Sequence, residues 1–394
     1  MAGEKLFTSN FLLCSVCYFF LTIFFFMFYT GMSTYAVDTF GAAEWAAGLS
    51  ASIFIIGDLV ARIFIGRRLE LLGKKRVAVA ALALSTLMSL VYFVMDSLSG
   101  LIVLRLLHGI VYGSACTAVT TLLSQGLPLS RRGEGMGYFM LSMTVGSAVG
   151  PLLCMVLLTD QNYPLIFLIG TLCAFAGALT VVFLRDQPLA LSAGQKAELK
   201  QFRLGNLYEK TALPISVISF SFFLAYSGVL TYISPYGQEI GLAGAATWFF
   251  VAVSAATLIA RLCLGRLYDR YGENKVLIPT FVIAIAGFVL LAYADSAVEL
   301  LTAGFCIGLH VATLVAIGQV IAIRKTPLAR YGIAISTFNC GDDLGYGVGP
   351  ILLGLLIASV GYRGMYEMLI LIAVISLVLY IMLHMLPNRR GQAV

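Results

Sequence analysis

The sequence predicts an all-α integral membrane protein with twelve transmembrane helices in two pseudo-symmetric six-helix bundles. Three observations predict it: a shortage of charge, apolar runs at membrane-crossing length, and an internal repeat. Of the 394 residues, 60% are apolar and 11% charged, whereas a soluble domain carries about 25% charged residues. The mean hydropathy is +0.96. A soluble chain of this composition would expose a greasy, aggregating surface. A soluble enzyme, a nucleic-acid binder and a secreted disulfide scaffold are therefore excluded. The eight cysteines lie singly in apolar runs apart from Cys14-x-x-Cys17, which has no His or acidic neighbour. No metal site is read from that pair.

A crossing needs ~20 mostly apolar residues, and an open strand edge has no partner in lipid, so each span is a helix. Span one, 11–37, follows the charged start Glu4 and Lys5 and is too long for a cleaved signal peptide. Span two, 45–66, runs into Arg67, Arg68, Lys74, Lys75 and Arg76. Spans three and four, 77–95 and 100–124, are joined through Asp96 and end at Arg131 and Arg132. Spans five and six, 136–158 and 164–184, are joined through Asp160. Spans seven and eight, 211–236 and 245–265, enclose Glu239 and run into Arg266, Arg270 and Lys275. Spans nine and ten, 276–294 and 299–323, enclose Asp295 and Glu299 and end at Arg324, Lys325 and Arg330. Spans eleven and twelve, 332–359 and 365–386, complete the set, with Arg389 and Arg390 beyond them.

The bases thus occupy alternate loops. The opposite loops hold Asp38, Glu44 and the other acids, with Arg363 their only base. By the positive-inside rule both termini are expected in the cytoplasm of a multi-pass cell-membrane protein. The net charge of +6 is then a topology signal. The one long connection, 185–210, is polar, contains Pro188 and a short helical stretch around 195–202, and divides the chain nearly in half. The expected domains are an N-terminal bundle over 1–184, a cytoplasmic linker over 185–210 and a C-terminal bundle over 211–394.

Self-comparison across the linker shows a repeat. Ala61-Arg62-Ile63-Phe64-Ile65-Gly66 matches Ala260-Arg261-Leu262-Cys263-Leu264-Gly265 at an offset of 199. At the same offset Gly73 matches Gly272, Pro128 matches Pro327, and Gly146-x-x-x-Gly150-Pro151 matches Gly345-x-x-x-Gly349-Pro350. At a slightly different offset Tyr29-Thr30-Gly31-x-x-Thr34-Tyr35 echoes Tyr226-Ser227-Gly228-x-x-Thr231-Tyr232. Two parallel six-span repeats follow, with a substrate path expected at their interface.

These motifs resemble the major facilitator superfamily over the whole chain. Gly57-x8-Gly66-x3-Glu70-x2-Gly73-Lys74-Lys75 is similar to the family's motif between spans two and three, with Glu70 for the usual Asp and Leu71 for the usual base. Its second copy, Gly265-x3-Asp269-Arg270-x-Gly272, is nearer the family form. Arg105-x2-His108-Gly109 resembles the proton-relay motif of span four, with His108 where Gln is more usual. Gly137-x8-Gly146-x3-Gly150-Pro151 resembles the span-five antiporter motif, with Cys154-Met155 in place of the following glycine pair. The resemblance implies the major facilitator fold, no organic cofactor or metal, a proton gradient as energy source, a small-molecule substrate and a monomer in the bilayer.

Charge within the membrane marks the candidate residues, because an ionised side chain at a helix centre costs at least ~2.5–3.5 kcal/mol on insertion scales. Arg105 and His108 share a face of span four. Asp58 and Arg62 lie one turn apart in span two and can pair within the helix. Asp342 and Asp343 sit mid-span-eleven beside Asn339, about 100° apart around the helix, so both cannot face lipid. Two neighbouring carboxylates also disfavour joint ionisation, which suits a reversible proton site. His310 is mid-span-ten, and either buried His can be a proton carrier or a packed hydrogen-bonding group. Glu70 is placed to latch the cytoplasmic end of a helix in the other half, against the plainer reading of a solvated basic loop. The resembled fold lines its cavity with spans one, four, seven and ten. Tyr29, Thr34, Tyr35, Tyr226, Thr231 and Tyr232 would then form a cavity wall, or else sit as interface-belt residues.

The opening stretch LFTSNFLLC and the stretch RRGEGMGYF also look like those of bacterial drug- and metabolite-efflux members, which implies export of small organic compounds by proton antiport with alternating access. Two alternatives stay open: a proton-coupled symporter importing an organic anion or nutrient, with Arg105 as anion clamp, and a non-transporting receptor or assembly protein. A nucleotide hydrolase is excluded, since the stretch from Gly66 to Lys74 lacks the glycine and Ser/Thr spacing of a P-loop.

Overall fold

In a computed structural model the structure describes all residues except 1–5, 66–67, 129–131, 187–207, 325, 327–330 and 387–394. Among the described residues the chain is helical with no strand. The helices are α1 (Ser9–Phe40), α2 (Glu44–Ile65), α3 (Lys74–Val91), α4 (Leu98–Gly126), α5 (Arg132–Thr159) and α6 (Tyr163–Val182). They continue with α7 (Leu213–Glu239), α8 (Ala243–Tyr271), α9 (Glu273–Ala292), α10 (Ala297–Arg324) and α11 (Tyr331–Tyr380). Several outrun the apolar segments that announce them. Backbone hydrogen bonding continues into the interface, where water tolerates charged side chains, so α8 carries on through Arg266 and Arg270.

Local chemistry sets the ends. Ser296 and Glu299 form a reciprocal capping box ahead of α10: the Glu299 amide donates to Ser296 Oγ at 3.3 Å, and the Asp295 and Ser296 amides donate to Glu299 Oε2 at 2.9 and 3.0 Å. Asn162 caps α6 by accepting from the Leu165 amide at 3.2 Å. The repeat-related glycines Gly73 and Gly272 precede α3 and α9 at φ 85° and 78°, a left-handed backbone that only glycine adopts cheaply. Spans eleven and twelve follow one another within Tyr331–Tyr380 as two helices that meet at a kink. The kink is at Gly361, with φ 73° and ψ 179°. That stretch leaves room for two crossings of ~20 residues.

The helices group into two compact units. The first holds α1 as far as Met32, α2 from Ile53 onward, and α3 to α6; the second holds Ser33–Ser52 and α7 to α11. Small residues bring helix backbones together within each unit. In the first, a Cβ at Gly109 of α4 would overlap the Phe54 carbonyl of α2, and one at Gly57 would overlap the Leu106 carbonyl. In the second, a Cβ at Gly308 of α10 would overlap the Val253 carbonyl of α8. Phe54 and Val253, like Gly109 and Gly308, stand 199 positions apart. Gly146 and Gly150 of α5 lie against the α1 backbone, and Gly345 and Gly349 of α11 against α7.

The repeat reaches polar contacts too. Lys74 Nζ donates to Gln125 Oε1 between α3 and α4, and Arg324 Nη1 donates to Glu273 Oε1 between α10 and α9. Each pair is 51 residues apart, and both partners are related by the offset of 199. A third group completes each cluster. Asp186, just after α6, lies 3.8 Å from Lys74 Nζ, and His384 lies 3.6 Å from Glu273. The same corner of each bundle is thus closed by ion pairs of opposite polarity.

Candidate functional site

In the first unit the α2–α4 crossing carries Phe54 against the cationic stretch of α4. Arg105 is 1% exposed, with its guanidinium carbon 4.5 Å from the Phe54 ring centroid. The hydroxyls of Tyr92 and Tyr29 are its polar neighbours. A desolvated cation over a ring gains up to ~2 kcal/mol, which offsets part of its burial cost. His108 lies one turn deeper, fully buried. Its Nε2 is 2.7 Å from Ser85 Oγ and its Nδ1 3.2 Å from the Tyr92 hydroxyl. Both ring nitrogens are therefore engaged, within an aromatic shell that includes Phe24 at 5.0 Å.

Asp58, also buried, accepts two hydrogen bonds from Arg62: 3.1 Å from Nε to Oδ1 and 2.8 Å from Nη2 to Oδ2. This two-pronged geometry is the strongest form of the pair. The carboxylate lies over Gly113 of α4, where a Cβ would collide with Oδ1.

In the second unit His310 of α10 is likewise a buried ring held by a hydroxyl of a neighbouring helix. Its Nδ1 is 3.0 Å from Thr280 Oγ1 of α9, and Phe222 of α7 meets its ring at 4.5 Å. Its Nε2 is buried with no hydrogen-bond partner among the described residues. Asp342 and Asp343 are half-buried in α11. The fully buried Ser219 of α7 donates to Asp342 Oδ1; this contact is possible because Gly341 lets α11 close on the Ser216 backbone. Asn339 Oδ1 accepts from Gln319 Nε2 at 3.4 Å.

One end of the second unit has its own polar seam. Tyr362 donates to Glu44 Oε1 at 2.8 Å, and Ser33 Oγ donates to the Thr231 carbonyl at 2.9 Å. The Tyr232 hydroxyl is 2.7 Å from the Pro350 carbonyl and 3.1 Å from that of Glu44. Gly48 and Gly354 provide the clearance: a Cβ at either would overlap the Pro350 or Glu44 carbonyl respectively.

Of the residues expected to form a cavity wall, Tyr29, Tyr35, Tyr226, Thr231 and Tyr232 are buried and Thr34 is half-buried. Tyr232 spends its hydroxyl on helix packing. Among the motif residues Arg261 and Arg270 are exposed, the latter 5.3 Å from the Tyr271 ring. Pro151 and Pro350 lie inside α5 and α11. Gly66, the Glu70 and Asp269 side chains, and the helical stretch expected at 195–202 lie outside the described residues, as does the environment of Gly265. Sequence reasoning did not find Ser219, Ser85, Thr280 or the Glu44–Tyr362 pair. The 199-residue offset would have paired Lys74 with Glu273 and Gln125 with Arg324, but unlike side chains hide the match.

The sequence model of the Major Facilitator Superfamily matches residues 14–293 and 243–393. The chain belongs to that superfamily. This transporter is 23% identical over 352 residues to an uncharacterized MFS-type transporter of Methanocaldococcus jannaschii, covering 85% of this chain and 88% of the relative. It is 22% identical over 326 residues to the multi-drug resistance efflux pump PmrA of Streptococcus pneumoniae, covering 81% of each. Among solved structures, a variant of the nucleoside transporter NupG superposes with a TM-score of 0.76 at 14% identity, covering 95% of this chain and 100% of that one. The likeness to NupG shows the shared fold alone. The chain is a multi-pass membrane transporter and not an enzyme.

Proposed function

We propose that this transporter exports small organic compounds, drugs or metabolites, in exchange for protons, and that Asp342 carries the proton. The observation behind the reading is the half-buried Asp342 carboxylate held by Ser219 between α11 and α7. A charge near a helix centre costs ~2.5–3.5 kcal/mol on insertion scales. Proton uptake cancels that cost, so the two protonation states favour different surroundings for the helix, and the proton biases an alternating-access equilibrium. Asp343, one position on, discourages a second negative charge. Relatives named as multidrug resistance and efflux proteins support the outward direction. The basic loops support cytoplasmic termini.

The test is solid-supported-membrane electrophysiology on proteoliposomes, across a library of amphipathic cations and metabolites. Asp342→Asn is expected to remove pH-driven current while leaving substrate binding. Undiminished current in Asp342→Asn overturns the assignment to Asp342, and undiminished current in Asp343→Asn as well overturns carboxylate coupling in α11.

Arg105 favours a second reading, coupled import of an organic anion, because a buried guanidinium against an aromatic ring suits a carboxylate or phosphate ligand. In that reading Arg105→Gln abolishes anion uptake, whereas export of cations survives it.

A further inference from the structure

An exposed side of α3 carries a groove of about 490 Å³ lined by Lys75, Arg76, Val79, Ala80, Ala83 and Asp186. The α3 residues fall at i, i+1, i+4, i+5 and i+8, a single stripe down the helix. Its upper end is cationic and its lower part shallow, because Ala80 and Ala83 are exposed and small. We propose that this groove binds an anionic glycerophospholipid, with the phosphate on Lys75 and Arg76 and an acyl chain along Ala80 and Ala83.

Three features carry the assignment. The first is charge. Asp186 is already engaged, accepting from the Lys75 backbone amide at 3.3 Å and lying 3.8 Å from the buried Lys74 ammonium. Lys75 and Arg76 have no side-chain ion pair among the described residues, which leaves two positive charges facing the groove. The N-terminus of α3 adds partial positive charge at the same place. The second is the tail. Below the groove the face continues as Leu84, Leu87 and Leu90, 47%, 61% and 50% exposed. An anion without a hydrocarbon chain would cover none of that surface, so a free phosphate or nucleotide does not fit. The third is position. The groove lies where α3 leaves the basic loop, at the headgroup level of the leaflet to which that loop belongs, where anionic lipids meet basic side chains. A positive-inside role accounts for the two bases but not for the small-residue channel beneath them.

The full-length protein, delipidated in detergent, is titrated with phosphatidylglycerol or phosphatidylcholine and read by native mass spectrometry. Preferential phosphatidylglycerol binding is expected in the parent. Lys75→Gln with Arg76→Gln should weaken it about 30-fold, the equivalent of ~1 kcal/mol for each base. Arg270→Gln with Lys275→Gln, removing two bases from a different loop, should leave it intact. Ala83→Trp, which fills the channel and keeps the charges, should also weaken it. Equal binding of the two lipids, equal losses in the two double variants, or undiminished binding in Ala83→Trp overturns the proposal. Displacement by inorganic phosphate alone overturns it as well, since the site would then read only an anion.

Discussion

At the scale of single residues, the ion pair of Asp58 and Arg62 shows how a membrane protein retains an expensive group. Asp58 is buried, and its two oxygens are both taken by Arg62. Breaking a fully buried pair costs 3–5 kcal/mol because the survivor is stranded. Arg62 is a third exposed, so screening reduces the figure. Arg62→Gln alone is therefore expected to destabilise the protein by roughly 1–3 kcal/mol. Adding Asp58→Asn should recover a good part, as thermal unfolding in detergent would register. If the double variant is as unstable as the sum of the two singles, the pair is not what holds Asp58 in place. The two buried histidines meet hydroxyls instead, His108 those of Ser85 and Tyr92 and His310 that of Thr280.

At the scale of helices, the glycine crossings fix which faces meet. A Cβ at Gly109 or Gly308 would run into a backbone carbonyl, which cannot rotate away. Overpacking of this kind costs about 1–3 kcal/mol, and the partner helix must shift to relieve it. Gly109→Val and Gly308→Val are expected to lower the unfolding temperature to similar extents, because the repeat places them in equivalent crossings. A loss confined to one of the two sites would break that equivalence. The spans were legible in the sequence, since they follow from what lipid tolerates. Partners were not. α1 is apolar around its whole circumference, so the pattern of residues cannot separate Tyr29, which is buried, from Val16, which is 44% exposed. In water, polarity would have distinguished the two faces; in a bilayer both surroundings are greasy. Ser219 escaped notice for the same reason, as a hydroxyl in a helix can bond its own backbone.

At the scale of the whole molecule, duplication preserved positions more faithfully than chemistry. The corner cluster of the first unit centres on a buried lysine, and that of the second on a glutamate with a half-exposed arginine. Their energetics should differ accordingly. Asp186→Asn leaves the Lys74 ammonium, 1% exposed, without its carboxylate and is expected to cost about 3 kcal/mol. Glu273→Gln disturbs a pair whose arginine is 50% exposed and should cost about 1 kcal/mol or less. Unfolding midpoints of the two variants, measured side by side, check the ordering; a larger loss for Glu273→Gln would reverse it. Conserved placement with altered polarity also explains why the repeat stood out at its glycines and prolines, where backbone geometry allows few substitutes, and faded at its polar contacts.

The seam at Glu44 has a consequence in time. Its carboxylate and the hydroxyl of Tyr362 are separated by 318 residues, and a ribosome adds about 5–20 residues per second. The first hairpin is therefore made roughly 15–60 s before the tyrosine that will hold its turn. For the first part of that interval Ser33–Ser52 has none of these partners, because Thr231 and Tyr232 follow Ser33 and Glu44 by 198 and 188 residues and Tyr362 comes later still. Biogenesis must carry a half-anchored hairpin through most of translation, and a chain that stalls before Tyr362 would present that unfinished end to the cell's quality-control proteases.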